Sequence, residues 1–193
     1  MDAHDQNTVP PGKLPPTHVK ELRQYATAMD KERFVKHLGP FVLVKAPTPE
    51  DQQKLAKLGQ RATMLADKAR LDGFALTADL DSLIATTLPP LNKNKQLTVG
   101  RTPENDLVID DPSVSKRHAL VKYDEQLGRF IVADQGSRNG TSLNGVQIEK
   151  TRLGLDDGDL LSFGSAHFLY FRTGVLYSRL RGEDDGAFVI ERR

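Results

Sequence analysis

The sequence predicts a mainly β protein, an antiparallel β-sandwich with an α-helical N-terminal extension, on three grounds. From Gln96 onward the chain is a succession of short runs, QLTVG, DLVID, HALVKY, RFIVAD, TSL, VQIE, DLLSFG and HFLYFR, rich in β-branched and aromatic residues and separated by turn clusters. One sheet alone would leave an apolar face wet, so these strands call for two. Of the 11 prolines 9 precede residue 91, and of the 15 glycines 11 follow it, which marks a change of architecture there. Before that point apolar residues recur at helical spacings of three and four.

Residues 1–16 carry Pro10, Pro11, Pro15 and Pro16 and almost no large apolar side chains, and they read as a disordered tail. A helical extension is expected over 17–75. Thr17 is placed as the N-cap of a first helix with Val19, Leu22, Ala26 and Met29 on one stripe. Asp30 caps a second that buries Phe34, Val35 and Leu38 and stops at Gly39-Pro40. Phe41 to Val44, apolar and bounded by prolines, reads as a strand. Thr48-Pro49-Glu50-Asp51 opens a third helix, with a hydroxyl cap, proline at the first helical position and acids at the positive end of the dipole. Its stripe of Leu55, Leu58, Ala62, Leu65 and Ala69 reads as core, and Asp72-Gly73 ends it. Leu83 to Leu88, with Ile84, Thr86 and Thr87 before Pro89-Pro90, reads as a strand. The sandwich is placed at 80–175, where Asn144-Gly145 is the strongest hairpin signal. Val175 to Arg181 reads as a closing helix, and 176–193 is taken as the C-terminal helix and tail that follow the sandwich.

Composition restricts what such a fold can do. The 193 residues hold 27 Lys+Arg and 26 Asp+Glu, a formal charge of +1. Pro90 divides them into 12 basic against 11 acidic residues before it and 15 against 15 after it. Neither half has the cationic surplus that tracking a nucleic-acid backbone requires. No cysteine is present, so disulfides, thiolate nucleophiles and Cys-based zinc sites are excluded. No apolar run reaches the length of a signal peptide or membrane span, so a cytoplasmic location without membrane attachment is expected. No Walker, nucleophile-elbow or H-E-x-x-H pattern occurs, and His4, His18, His37, His118 and His167 lack ligand spacing. The pairs Asp110-Asp111, Asp156-Asp157 and Asp184-Asp185 adjoin Pro or Gly and read as solvated turn acids. Neither an enzyme, a metal site nor a cofactor is expected.

What remains is a set of loop residues able to grip one phosphate. A dianionic phosphate is best held by a guanidinium, a hydroxyl and backbone amides on a rigid loop. Arg101 follows Gly100 at a strand end; Ser115, Lys116, Arg117 and His118 enter the next long strand; Arg138, Asn139 and Gly140 form a later turn. Strand parity places the loops at 110–117 and 135–140 at one end of the sandwich. Simple alternation puts Arg101 at the other end, unless the short strand at Leu107-Ile109 breaks the rule.

In order, Gly100-Arg101, Ser115-x-x-His118, Asn139-Gly140 and Asn144-Gly145 make VGRTPENDLVIDDPSVSKRHALV followed by DQGSRNGTSLNGV resemble the forkhead-associated (FHA) domain, over residues 80 to 175, about half the chain. The resemblance implies an eleven-stranded sandwich that binds phosphothreonine peptides at one end, a mode of phospho-motif recognition by Arg clusters. It implies that Arg101 and Ser115 contact phosphate and that Asn139 bonds the peptide backbone, with Lys116 and Arg138 as neighbouring basic positions. His118, Gly100 and Gly140 are then loop-structuring. Ser113 stands near where some members carry an arginine that reads an acidic peptide residue, and it has no charge. The implied partner is a phosphothreonine-containing target of a Ser/Thr kinase, or the kinase itself. A rival reading is a phosphate-independent interaction module that uses the helical extension.

Overall fold

A computed structural model of the chain describes residues 16–46, 83–87, 91, 93–148 and 153–183. The expected tail, except Pro16, and the expected helix from Thr48 with its Leu55 to Ala69 stripe lie outside the described residues.

Among the described residues, twelve strands form two sheets. In chain order they are β1 (Thr17–His18), β2 (Phe41–Lys45), β3 (Ile84–Thr87), β4 (Gln96–Gly100), β5 (Leu107–Val108), β6 (Ala119–Asp124), β7 (Arg129–Asp134), β8 (Thr141–Leu143), β9 (Val146–Ile148), β10 (Leu153–Gly154), β11 (Leu160–Phe163) and β12 (Ala166–Arg172). Three helices accompany them among the described residues: α1 (Val19–Ala28), α2 (Lys31–Leu38) and α3 (Thr173–Leu180). One sheet has the order β1-β3-β2-β12-β11-β8-β9, the other β10-β7-β6-β4-β5. Every pairing is antiparallel except that of β4 with β5.

The sandwich fold class is as the sequence predicts, with twelve described strands where the resemblance implies eleven. Phe41 to Val44 is a strand, but it sits inside the larger sheet between β3 and β12. Its uninterrupted apolar run has a physical reason, because both of its faces are covered. Phe41 and Leu43 point into the core between the sheets, while Val42 and Val44 point the other way, against α1, α2 and α3. The run in β12 divides likewise, with Phe168 and Tyr170 inward and Leu169 and Phe171 toward the helices. The molecule therefore has two apolar cores on opposite faces of one sheet.

The helical layer is tied down at its ends. Leu22, Ala26, Phe34 and Leu38 are fully buried, and Phe34 meets Tyr177 edge-on at 5.2 Å. Arg23 Nη1 donates to Leu180 O at 2.9 Å, and Arg181 Nη1 donates to Ala26 O at 3.2 Å, so α1 and α3 satisfy each other's C-terminal carbonyls. Asp30 is the N-cap of α2 as expected, its carboxylate accepting from Arg33 N at 2.9 Å, and Gly39 ends that helix at φ 86°. Thr17 is not a helix cap. It is buried in β1 opposite Ala85, and His18 takes the N-cap position without capping the helix by a side-chain hydrogen bond. Strand pairing captures Thr17 because its backbone extends the sheet edge. At Asn144 (φ 52°) and Gly145 (φ 80°) both turn residues adopt positive φ, as the hairpin signal requires.

Candidate functional site

The parallel pairing of β4 with β5 decides where Arg101 goes. Val99 lies beside Leu107 and Gly100 beside Val108, so both strands end at the same pole. Arg101 therefore emerges beside the loop that follows β5, and alternation from strand to strand fails at this point. Arg101 N donates to Ser115 O at 2.9 Å, and its Nε donates to Val114 O at 3.2 Å. The guanidinium is anchored by one edge on an otherwise exposed side chain.

Close approach explains Gly100. A Cβ there would overlap Lys116 O and the Asn105 carboxamide. Asn105, buried, donates from Nδ2 to Lys116 O at 2.7 Å and to Thr102 O at 2.9 Å, and Thr102 Oγ1 donates to Lys116 O at 3.1 Å. This pair clamps the Arg101 turn against the Ser115-Lys116 loop. The Lys116 side chain is exposed on the same loop, and Glu104, lowered below the usual carboxylate range first by a Thr102 hydrogen bond, also feels its charge.

Three further bonds bring in the loop between β7 and β8. Arg138 N donates to Ser115 Oγ at 2.9 Å, so the hydroxyl serves there as acceptor and keeps its own proton to give to a ligand. Asn139 Nδ2 donates to Ser113 O at 2.7 Å, which leaves its carbonyl oxygen directed elsewhere. His118, at 0% exposure, bolts the two loops together from below. Its Nδ1 lies 3.0 Å from Ser115 N, a donor, and its Nε2 lies 3.0 Å from Gly140 O, an acceptor. Only the neutral ring protonated at Nε2 satisfies both. Burial lowers the His118 pKa below its ordinary value, against the opposing pull of Gly140 O and the Asp134 charge.

Asp134 fixes the shape of that second loop. Its Oδ1 accepts from Gly136 N (2.8 Å) and Ser137 N (2.9 Å), and its Oδ2 from Ser137 Oγ (2.6 Å) and Thr141 Oγ1 (2.7 Å). Burial raises its pKa, but the Ser137 and Thr141 hydroxyls and the two amides outweigh burial and hold it below the usual carboxylate range. Gly140 takes φ 74°, and a side chain there would collide with Gln147. Ser113 joins a third element, since its Oγ accepts from Ser165 N and Ser165 Oγ at 2.9 Å and donates to Asp111 Oδ1 at 2.6 Å.

The structure thus brings together the loops of Gly100-Arg101, Ser115-Lys116, His118 and Arg138-Asn139-Gly140 at one pole. Sequence reasoning passed over Asn105, Asp134 and Ser165. Asp134-x-Gly136-Ser137 carries an Asx-turn signal that marks it as a loop organiser; Asn105 has no such local signal. Among the described residues no cluster of three or more His, Asp or Glu is placed to hold a metal ion, and no helix is long and apolar enough to cross a membrane.

Residues 97–164 match the family model of the FHA domain. The chain is 36% identical over 90 residues to the glycogen accumulation regulator GarA of Mycobacterium tuberculosis, covering 47% of this chain and 50% of that protein. It is 38% identical over 73 residues to the oxoglutarate dehydrogenase inhibitor of Corynebacterium efficiens, covering 38% and 49%. It therefore spans about half the length of these relatives. Similar solved structures include the MEK1 FHA domain in complex with a HOP1 phosphothreonine peptide (28% identity, TM-score 0.37, covering 46% of this chain and 87% of that one). Another is the FHA domain of a Chlamydia trachomatis protein (20%, TM-score 0.43, covering 68% and 96%). The ordered Gly-Arg, Ser-x-x-His and Asn-Gly residues fall inside the matched segment, and this chain carries an FHA domain over residues 97–164.

Proposed function

We propose that the loop pole binds phosphothreonine in a partner protein and that the chain acts without catalysis, as a recognition module for a target of a Ser/Thr kinase or for the kinase itself. The observation that carries this reading is the Ser115 junction. Its backbone carbonyl takes Arg101 N, its amide is held by His118, and its hydroxyl takes Arg138 N. One residue thereby sets the Arg101 turn and its own hydroxyl, which keeps its proton, beside one another, so that a guanidinium and an O–H donor are together where a phosphate dianion asks for both.

In this reading Arg101 and the Ser115 hydroxyl contact phosphate, Lys116 and Arg138 add positive potential, and the Asn139 carbonyl oxygen accepts from the peptide backbone. Gly100, His118 and Gly140 hold the loops. The names of the relatives GarA and oxoglutarate dehydrogenase inhibitor are those of regulators, which suits binding rather than catalysis and a cytoplasmic setting. The helices α1 to α3 serve the sandwich as a covering layer.

The test is a calorimetric titration of phosphothreonine, phosphoserine and unphosphorylated peptide libraries against the wild type and Arg101→Ala. One charge-assisted hydrogen bond is worth about 1.5–3 kcal/mol, so Arg101→Ala should weaken binding roughly 10- to 100-fold with folding intact. Affinity should also fall as pH drops through about 6, where the ligand loses its second charge. Equal binding of phosphorylated and unphosphorylated peptides would refute the reading.

A further inference from the structure

The larger sheet brings one cation to the loop pole from outside the FHA segment. Lys45 is the last residue of β2, beyond the matched 97–164. It pairs with Phe168 on β12, so by strand alternation it shares the inward face of Phe41 and Leu43, at the mouth where the core gives way to the loops. Unlike Phe41 and Leu43 it is exposed. Ala46 N donates to His167 O, which keeps the end of β2 on β12, and the turn just before β12 holds Ser165. Ser165 is bonded to Ser113 Oγ, and Ser113 O is bonded to Asn139 Nδ2. The end of β2 is thus joined through β12 and two serines to the asparagine assigned to the peptide backbone.

The Lys45 side chain makes no hydrogen bond or ion pair with any described residue. Its field reaches Asp111, whose carboxylate is held low chiefly by Ser113. Asp111 Oδ1 accepts both Ser113 N (2.8 Å) and Ser113 Oγ (2.6 Å), and Asp110 on the same loop is exposed. Ser113 itself is uncharged and occupied, and the cation whose charge acts on Asp111 beside it is Lys45 of β2.

We propose that Lys45 is a specificity-determining residue of the loop pole, favouring a phosphothreonine peptide with an acidic side chain on the flank that passes over Ser113 and Ser165. This rests on the phosphothreonine reading above. It assigns to β2 a part in recognition as well as in the core.

The experiment is fluorescence anisotropy on the full chain at low salt. The probes are phosphothreonine peptides in which each flanking position carries Ala, Asp or Lys in turn, read on the wild type, Lys45→Ala and Lys45→Glu. For an exposed pair the wild type should prefer Asp over Ala at one flanking position by about three- to five-fold. Lys45→Ala should abolish that preference, and Lys45→Glu should turn it into a preference for Lys at the same position. All three proteins should still require the phosphate. An acid preference that survives in Lys45→Glu, or no charge preference at any position in the wild type, overturns the role of Lys45 while leaving phosphothreonine binding in place. Equal binding of unphosphorylated peptide overturns both.

Discussion

The two ends of β12 meet opposite kinds of surroundings. At its start, the turn through Gly164 and Ser165 enters a pole built from hydrogen bonds among serines, asparagines and one neutral histidine, with cations left outside. At its finish, Arg172 leads straight into α3, and Leu176, Tyr177 and Leu180 bury themselves against α1, α2 and the back of the sheet. The loop pole is held in shape by directional bonds that each cost little alone, and the helical layer by apolar area that is not directional at all. Ligand contacts belong where side chains can be changed without losing the fold; stability belongs where they cannot.

The largest expected effect lies in the helical layer. Phe34→Ala removes a fully buried ring packed on Tyr177 and should cost about 3–5 kcal/mol in urea unfolding. Phosphopeptide affinity, read below the unfolding transition, should not change. A loss of affinity with the chain still folded would show that the two regions are coupled and would break the contrast.

Asn105→Asp is the counterpart in the loop pole. The shape is kept, but the donors to Thr102 O and Lys116 O are lost and a negative charge enters beneath the loop of Ser115. Stability should fall by about 1–3 kcal/mol, the cost of buried groups left unpaired. Peptide affinity should fall more than ten-fold, on the order of 1.4 kcal/mol or beyond. If stability fell and affinity did not, Asn105 would serve the fold alone.

A smaller effect should appear with pH. His118 has a folded pKa below 6.5, so the unfolded chain takes up its proton first. The stabilisation is complete above about pH 6.5, the unfolded value, and is lost as pH falls from there toward the folded value. It amounts to about 1.4 kcal/mol for each unit of lowering. Imidazole NMR resonances should show His118 neutral and protonated at Nε2 where an ordinary histidine is already charged. Titration of His118 at 6.5 or above would contradict the bolt between Ser115 and Gly140.

The smallest effect concerns Tyr170, packed between Phe41 and Phe130 with a fully buried hydroxyl that has no hydrogen-bond partner among the described residues. Burial, more than the acids nearby, pushes its ionisation far upward. Tyr170→Phe should leave thermal stability within about 1 kcal/mol of wild type or raise it, because an orphaned polar atom leaves the core. A loss of more than about 2 kcal/mol would show that the hydroxyl is satisfied after all.

Much of this was legible in the sequence. Alternation and turn chemistry placed the strands of the sandwich, Asp30 as a cap and Asn144-Gly145 as a hairpin, because each depends on residues within a few positions. Phe41 to Val44 was legible as a strand but not as one with two covered faces, since a continuous apolar run does not say which layers enclose it. Thr17 was misread because a hydroxyl before an apolar stripe is a capping pattern, and pairing with Ala85, far along the chain, competes for the same residue. Arg101 was assigned its role by its place in an ordered motif while its end of the sandwich stayed open. The two-residue strand β5, too short to declare a direction, decides that end. Asn105 and Asp134 were hidden among ordinary turn residues; their work is done across loops that come together only in the folded chain.

The most direct test of the loop pole as the binding region is backbone amide NMR during titration with one threonine peptide in phosphorylated and unphosphorylated form. The phosphorylated peptide should shift the amides of Gly100 to Thr102, Ser113 to His118 and Ser137 to Gly140, and leave those of α1, α2 and α3 in place. Its unphosphorylated twin should shift none of them. Shifts centred on the helices, or the same shifts with both peptides, would contradict the account.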